Sequence, residues 1–267
     1  MKKNLAIFLM GMTIATMVLG GCKDKENISK KDGKESESVE DKKTFTVGFD
    51  AEYPPYGYMD ENGEYTGFDL ELAEAVCELE GWELVKKPIN WDSKDMELNS
   101  GAIDCIWNGF TMNGREEEYT FSTPYVDNSQ VIVVAEKSGM KTLEDLQGKS
   151  VGVQAASAAL DLLQSEEEGG QKALADTFSA LNEFADYNTA FTELQAGALD
   201  ALAIDVGVAN YQIKSRGEGY QILEETLNTE QYAIGFKKGN QELVRCSQCR
   251  PEKIDRRRND CKARGKI

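Results

Sequence analysis

Asp50 stands at the end of a short alternating run, Thr44-Phe45-Thr46-Val47-Gly48-Phe49, and is followed by Ala51-Glu52-Tyr53-Pro54-Pro55-Tyr56-Gly57-Tyr58. A carboxylate and three tyrosines on a proline-stiffened loop combine hydrogen-bonding groups with aromatic faces, the chemistry of a small polar pocket. Residues 67–76 then alternate apolar side chains with Asp69, Glu71 and Glu74 at helical spacing. Strand, loop and helix in that order set the pocket at a strand's carboxyl end. A second strand, Ala201–Asp205, also ends on an aspartate, and Arg115 follows a third strand end at Asn108-Gly109-Phe110-Thr111. With no histidine in 267 residues, a Ser-His-Asp triad, a Cys-His pair and His-ligated zinc are excluded by composition.

The elements that must hold these groups follow from periodicity and turn signals. Strands are expected at 44–50, 82–86, 102–107, 130–135, 150–153, around 183–184, and at 201–205, 221–225 and 231–236. Helices are expected at 67–76, 92–98, 155–164, 188–196 (stopped by Gly197) and 206–213, with a helical turn at 143–146 closed by Gly148. Strand and helix alternating in this rhythm indicate parallel pairing with right-handed crossovers. Two α/β units of similar plan, joined by extended segments at 129–135 and 229–235, indicate two lobes hinged about a cleft. A composition with 40% hydrophobic residues suffices for real cores. The net charge of −17, with no basic stripe in the body of the chain, argues against a nucleic-acid partner.

Lys2 and Lys3 precede an apolar run from Leu5 to Leu19, the form of an export signal too short to span a bilayer. Its end, Leu19-Gly20-Gly21-Cys22, resembles the lipobox of bacterial lipoproteins, which implies cleavage after residue 21 and lipidation of Cys22. Acyl chains at ~0.8 kcal/mol per buried CH₂ would hold the protein to a membrane surface. Residues 23–43 are almost wholly charged and polar, a tether unable to form a core.

The chain resembles the extracytoplasmic solute-binding component of bacterial ABC importers for polar amino acids. The motifs that carry the resemblance are Gly48-Phe49-Asp50-Ala51-Glu52-Tyr53-Pro54-Pro55-Tyr56, Gly67-Phe68-Asp69-Leu70-Glu71-Leu72-Ala73, Asn99-Ser100-Gly101-Ala102-Ile103-Asp104-Cys105-Ile106-Trp107-Asn108-Gly109-Phe110-Thr111, Tyr119-Thr120-Phe121-Ser122-Thr123-Pro124-Tyr125, and Leu146-Gln147-Gly148-Lys149-Ser150-Val151-Gly152-Val153-Gln154. The resemblance implies a type II periplasmic-binding architecture: two α/β lobes, each a mostly parallel sheet flanked by helices, joined by a two-strand hinge. The expected divisions are a signal at 1–21, the lipidated cysteine and linker at 22–43, first lobe at 44–131, second lobe at 132–231 and a return to the first lobe at 232–243.

A free amino acid carries a carboxylate and an ammonium, so its site must offer a fork of donors and a carboxylate. The resemblance gives the first role to the Arg of a Thr-x-x-Arg segment. Here Arg115 lies one residue out of that spacing; the alternative is a surface arginine pairing with Glu116 to Glu118. Thr111, Asn108 and Gly109 would complete that wall. Ser157 and Ala158 occupy the family's Gly-x-x-Gly-Ser/Thr turn at a helix start, with Ala156 in place of the usual glycine, and their N–H groups would take the same carboxylate; the alternative for Ser157 is a plain N-cap. Asp205 resembles the residue that receives the α-ammonium, or else caps the following helix. Tyr53 resembles the aromatic that stacks on the ligand side chain; Tyr56 and Trp91 line the same compartment or join the core. Asp50 would face the side chain, which tilts the ligand toward a basic amino acid. No cofactor or metal is expected. The implied partners are a free polar amino acid, the permease subunits and the membrane, with the protein a monomer. An enzyme on the same fold, a cyclohexadienyl-type dehydratase with Glu52 as general acid, and a sensory lipoprotein are the alternatives.

Cys77 and Cys105 either pair or are small buried residues. Cys246-x-x-Cys249 with a distant Cys261 and no histidine is poor zinc spacing. From residue 244 to 267 the chain carries nine Lys/Arg against three Asp/Glu, an abrupt switch where the family continues into an amphipathic helix. Codons compatible with this tail, read one nucleotide downstream, permit such a helix, so the tail is read as a frameshift of the first lobe's C-terminal helix; a genuine basic tail is the alternative.

Overall fold

The computed structural model describes residues 43–248. The expected export signal, Cys22, the linker up to residue 42 and the tail beyond residue 248, with Cys249 and Cys261, lie outside the described residues. The first lobe opens with β1 (Thr44–Phe49), β2 (Glu52–Tyr53), β3 (Gly57–Met59), β4 (Tyr65–Thr66), α1 (Phe68–Glu80), β5 (Glu83–Pro88), α2 (Lys94–Ser100), β6 (Cys105–Ile106) and β7 (Tyr119–Phe121). The second holds β8 (Val126–Ala135), β9 (Ser150–Gln154), α3 (Ala158–Gln164), α4 (Lys172–Ala175), β10 (Ala180–Phe184), α5 (Tyr187–Ala196), β11 (Ala201–Asp205), α6 (Val206–Arg216), β12 (Tyr220–Ile222) and β13 (Asn228–Tyr232). The chain returns to the first lobe as β14 (Gly235–Lys237) and α7 (Gln241–Gln248).

One sheet has the order β5-β1-β6-β14-β7 and the other β10-β9-β11-β8-β12, with β13 also on β8. Each has a parallel core, β5-β1-β6 and β10-β9-β11, as the strand-helix rhythm requires. Antiparallel strands join these cores where the chain crosses between lobes. The alternation in β1 buries Phe45, Val47 and Phe49 against the apolar side chains of α1, Phe68, Leu70, Leu72 and Val76. At ~1.5–3 kcal/mol for each large apolar side chain fully buried, this layer fixes the register of the site-bearing strand ends. Asp69 is the exception on α1, fully buried among hydrophobic neighbours.

Four departures from the sequence expectations have local causes. The segment after β1 is a small sheet, β2-β3-β4, rather than a plain loop. β8 lies in the second sheet from Val126 onward, because β13 partners its first five residues; the crossing therefore falls at 122–125, not at 131/132. The single strand expected at 231–236 is two strands, β13 and β14, since Ala233 and Ile234 carry the chain from one sheet to the other. The helix expected at 155–164 starts at Ala158: Ser157 is extended and Ala156 has φ of 54°, so neither continues a right-handed turn.

Cys77 and Cys105 are both buried and unpaired. Leu243 and Val244 are both buried in the first-lobe core, so α7 runs across the expected break after residue 243. Among the described residues no helix is long and apolar enough to cross a membrane.

Candidate functional site

The strand ends deliver their polar residues to one cavity between the lobes. Tyr53, Trp91, Asn108, Gly109, Thr111 and Arg115 line it from the first lobe, and Ser157, Ala158, Asp205 and Gln154 from the second. The lobes meet so closely that its water-accessible volume is about 10 Å³, the room one water needs.

Two expected residues are not in this lining. Tyr56 is almost wholly buried, and its ring packs edge-on against Tyr232 and Phe68 at 5.2 Å and 6.4 Å. The turn that bonds Tyr56 N–H to Tyr53 O, and Asp69 N–H to Tyr56 O, docks residue 56 onto α1 while Tyr53 faces the cleft. Asp50 instead lines a wider outer chamber of about 600 Å³, with Trp91, Glu52, Asp92, Glu97 and Asp186 among its walls. Its carboxylate accepts from Gln154 Nε2 at 2.7 Å and from Glu52 N–H at 2.8 Å. Burial, against those two bonds, pushes its pKa up to about 6. Glu52, the expected general acid of the enzyme alternative, is exposed and hydrogen-bonded by Asn188.

The first-lobe wall is held from behind. Gly109 has φ of 56°, and a Cβ there would meet the rings of Tyr53 and Tyr232 at 3.0 Å, so only glycine lets the loop lie this close. Buried Asp69 accepts from Gly109 N–H at 2.5 Å and from Tyr125 OH at 2.8 Å, and burial raises its pKa to about 7. Asn108 is 1% exposed, and neither amide atom of its side chain has a protein partner. The Arg115 guanidinium lies 5.0 Å over the Phe110 ring and donates from Nη1 to Thr111 O at 3.4 Å. Its ion-pair partner is not Glu116 to Glu118 but Asp161 of the second lobe, Nη2 to Oδ2 at 2.7 Å.

On the second-lobe side, Ser157 Oγ accepts from Leu160 N–H at 3.2 Å, so it is an N-cap while also lining the cavity. Asp205 does not cap α6. Its Oδ1 accepts from Tyr232 OH at 2.6 Å, Asn128 Nδ2 at 2.7 Å and Gln130 Nε2 at 2.8 Å. Both amides also donate to Glu230 Oε1 at 2.8 Å, and Thr111 Oγ1 does so at 2.7 Å. Two buried carboxylates thus share one set of donors. Burial first, then repulsion from Glu230, pushes the Asp205 pKa up to about 6.

Glu230, Asn128, Gln130, Gln154 and Tyr232 were missed from the sequence, although a signal exists. Asn128 and Gln130 are two apart at the start of an apolar strand, as are Asn228, Glu230 and Tyr232, so each set shares a face. Only the register, Asn128 opposite Glu230 and Gln130 opposite both Asn228 and Asp205, gathers them.

The sequence model of the bacterial extracellular solute-binding proteins, family 3, matches residues 45–249. The L-cystine-binding protein TcyJ of Escherichia coli (strain K12) is 29% identical over 210 residues, 78% of this chain and 76% of that protein. The arginine-binding extracellular protein ArtP of Bacillus subtilis (strain 168) is 29% identical over 209 residues, 77% and 79% of the two chains. Among solved structures, an ABC uptake transporter substrate-binding protein from Streptococcus pneumoniae with bound histidine superposes with a TM-score of 0.71 at 34% identity, covering 84% of this chain and 88% of that one. An ancestral arginine-binding protein bound to glutamine gives a TM-score of 0.67 at 36% identity, covering 84% and 93%. With a match across both lobes, the chain belongs to the bacterial extracellular solute-binding proteins, family 3.

Proposed function

We propose that this chain is the substrate-binding component of an ABC importer, closing its two lobes over a free polar amino acid. The observation that carries this is the placement of Arg115 and Asp205 on opposite lobes of one cavity, a cation and an anion for the two charged ends of a zwitterion. Arg115, with Thr111, Ser157 and Ala158, takes the carboxylate, and Asp205 takes the ammonium. The unpartnered amide of Asn108 is costly unless a ligand completes it, and Tyr53 and Trp91 flank the ligand side chain. Asp50, in an outer chamber walled by further carboxylates, favours a side chain that ends in a cation. Binding energy drives lobe closure and no covalent step is required. The membership of an extracellular family puts the chain outside the cytoplasm; a lipid anchor at Cys22, a monomeric state and a permease partner complete the proposal.

Isothermal titration of the protein lacking residues 1–21 against the twenty amino acids tests the binding role. Saturable binding of one or a few polar amino acids is expected; heat from none of them removes the reading. Incorporation of labelled fatty acid in wild type but not Cys22→Ala tests the anchor.

A further inference from the structure

Arg115 stands on a partition. Its inner side faces the cavity shared with Asp205, and its outer side faces a second groove between the lobes, of about 330 Å³, whose walls include Asp161, Ser165 and Asn228. Asp161 lines the outer groove and not the inner cavity, and it meets the guanidinium at Nη2. It is the ion pair that joins the two lobes among the described residues; the others, Lys87–Glu97 and Lys172–Asp176, each lie within one lobe. Arg115 is almost buried, whereas the Asp161 side chain is 60% exposed, so one end of the pair is open to screening by salt.

A guanidinium has five N–H donors in a rigid fork, and the bonds to Asp161 and Thr111 O leave N–H groups for a further acceptor. We infer that Asp161 is a positioning residue and interlobe latch: it holds Arg115 from outside, aiming its remaining donors inward and fastening the closed cleft so that ligand release is slowed. The inference rests on the reading of Arg115 as the ligand's carboxylate clamp. It differs from a competition between Asp161 and the ligand for the same N–H groups, in which loss of Asp161 would slow release rather than speed it.

The test compares wild type, Asp161→Asn and Asp161→Glu by stopped-flow release of whichever amino acid titration identifies. Asparagine removes the charge and keeps the shape. Loss of a half-exposed pair is expected to raise the release rate about fivefold at physiological salt, with Asp161→Glu restoring most of the difference. In ~1 M salt, where the Debye length is about 3 Å, the wild-type rate should rise toward that of Asp161→Asn while the variant stays level. Equal release rates for wild type and Asp161→Asn would overturn the latch, and slower release from Asp161→Asn would show competition instead. Small-angle scattering without ligand gives an arm independent of the amino-acid reading. Asp161→Asn is expected to be more expanded than wild type, and identical radii of gyration would overturn the latch. A wild type that binds no amino acid yet expands on Asp161→Asn would refute the proposed function and leave the latch standing.

Discussion

Replacing Asp205 by asparagine should move stability and binding in opposite directions. In the folded protein its carboxyl, buried and facing Glu230, has its pKa raised from 3.8 to about 6. At ~1.4 kcal/mol per pKa unit, keeping this group ionised at pH 7.5 costs the fold ~3 kcal/mol. Asparagine retains an oxygen to accept from Tyr232, Asn128 and Gln130 and drops the repulsion. The ligand-free variant should therefore melt ~5 °C higher, taking ~2–4 °C per kcal/mol for a domain of this size and allowing for imperfect replacement of the hydrogen bonds. The folded carboxyl binds its proton more tightly than the unfolded one. Wild-type stability from this group thus grows as pH falls through 6 toward 4 and is lost as pH rises, a slope that Asp205→Asn should flatten. The ligand ammonium, however, loses its buried counter-charge, at ~2–5 kcal/mol, or about 30-fold to several-thousand-fold in affinity. Differential scanning calorimetry without ligand and isothermal titration with it read the two effects. A lowered melting temperature would refute the account of two crowded carboxylates, and undiminished affinity would refute the ammonium role.

Arg115→Ala should abolish measurable binding in a titration and Arg115→Lys should weaken it at least tenfold, because a lysine cannot supply two parallel donors; full retention of affinity in either would misplace the carboxylate clamp. Ser157→Ala removes the cap bond to Leu160 N–H and should lower stability by ~1 kcal/mol. If it also weakens binding beyond that stability change, as titration at a temperature well below melting would show, the hydroxyl serves the ligand too. Affinity should fall about tenfold between pH 7 and pH 5, since protonation of Asp205 near pH 6 removes the partner of the ammonium, and calorimetric titration across that range would detect a flat profile that contradicts it.

The two lobes and most of the cavity lining were legible because they depend on local signals. A strand that ends in a polar residue before a loop or helix announces both its fold and its position, which drew Asp205, Arg115, Asn108 and Tyr53 forward; the roles expected of Arg115, Asp205 and Tyr53 came from the family resemblance. What failed depended on distance in sequence. Tyr56 and Tyr53 are near neighbours on one turn, and only docking on α1 decides which of them faces the cleft. Glu230 lies 119 residues from Thr111, to which it is bonded, and its alternation with Asn228 and Tyr232 on one strand face does not say what that face meets. Asp161 is an acid in the first turn of α3; its pairing with Arg115 appears only once the lobes are brought together.

The crossing between the lobes, at 122–125 and 233–234, is cross-bonded and runs straight into a paired ribbon at the edge of the second lobe. β8 and β13 are hydrogen-bonded from Val126 opposite Tyr232 through Gln130 opposite Asn228, and Ser122 and Tyr125 are bonded to Ile234 and Tyr232 just before that ladder begins. Two separate strings could bend, shear and twist independently, giving the lobes several ways to misalign. A ribbon of two plies bends readily across its width and resists in-plane shear. Arg115–Asp161 and Gln154–Asp50 both span the two lobes, so a bend of this ribbon that parted one pair would part the other. Both sides of the cleft would then reach or lose registry together, with the cavity assembled as a unit rather than one contact at a time.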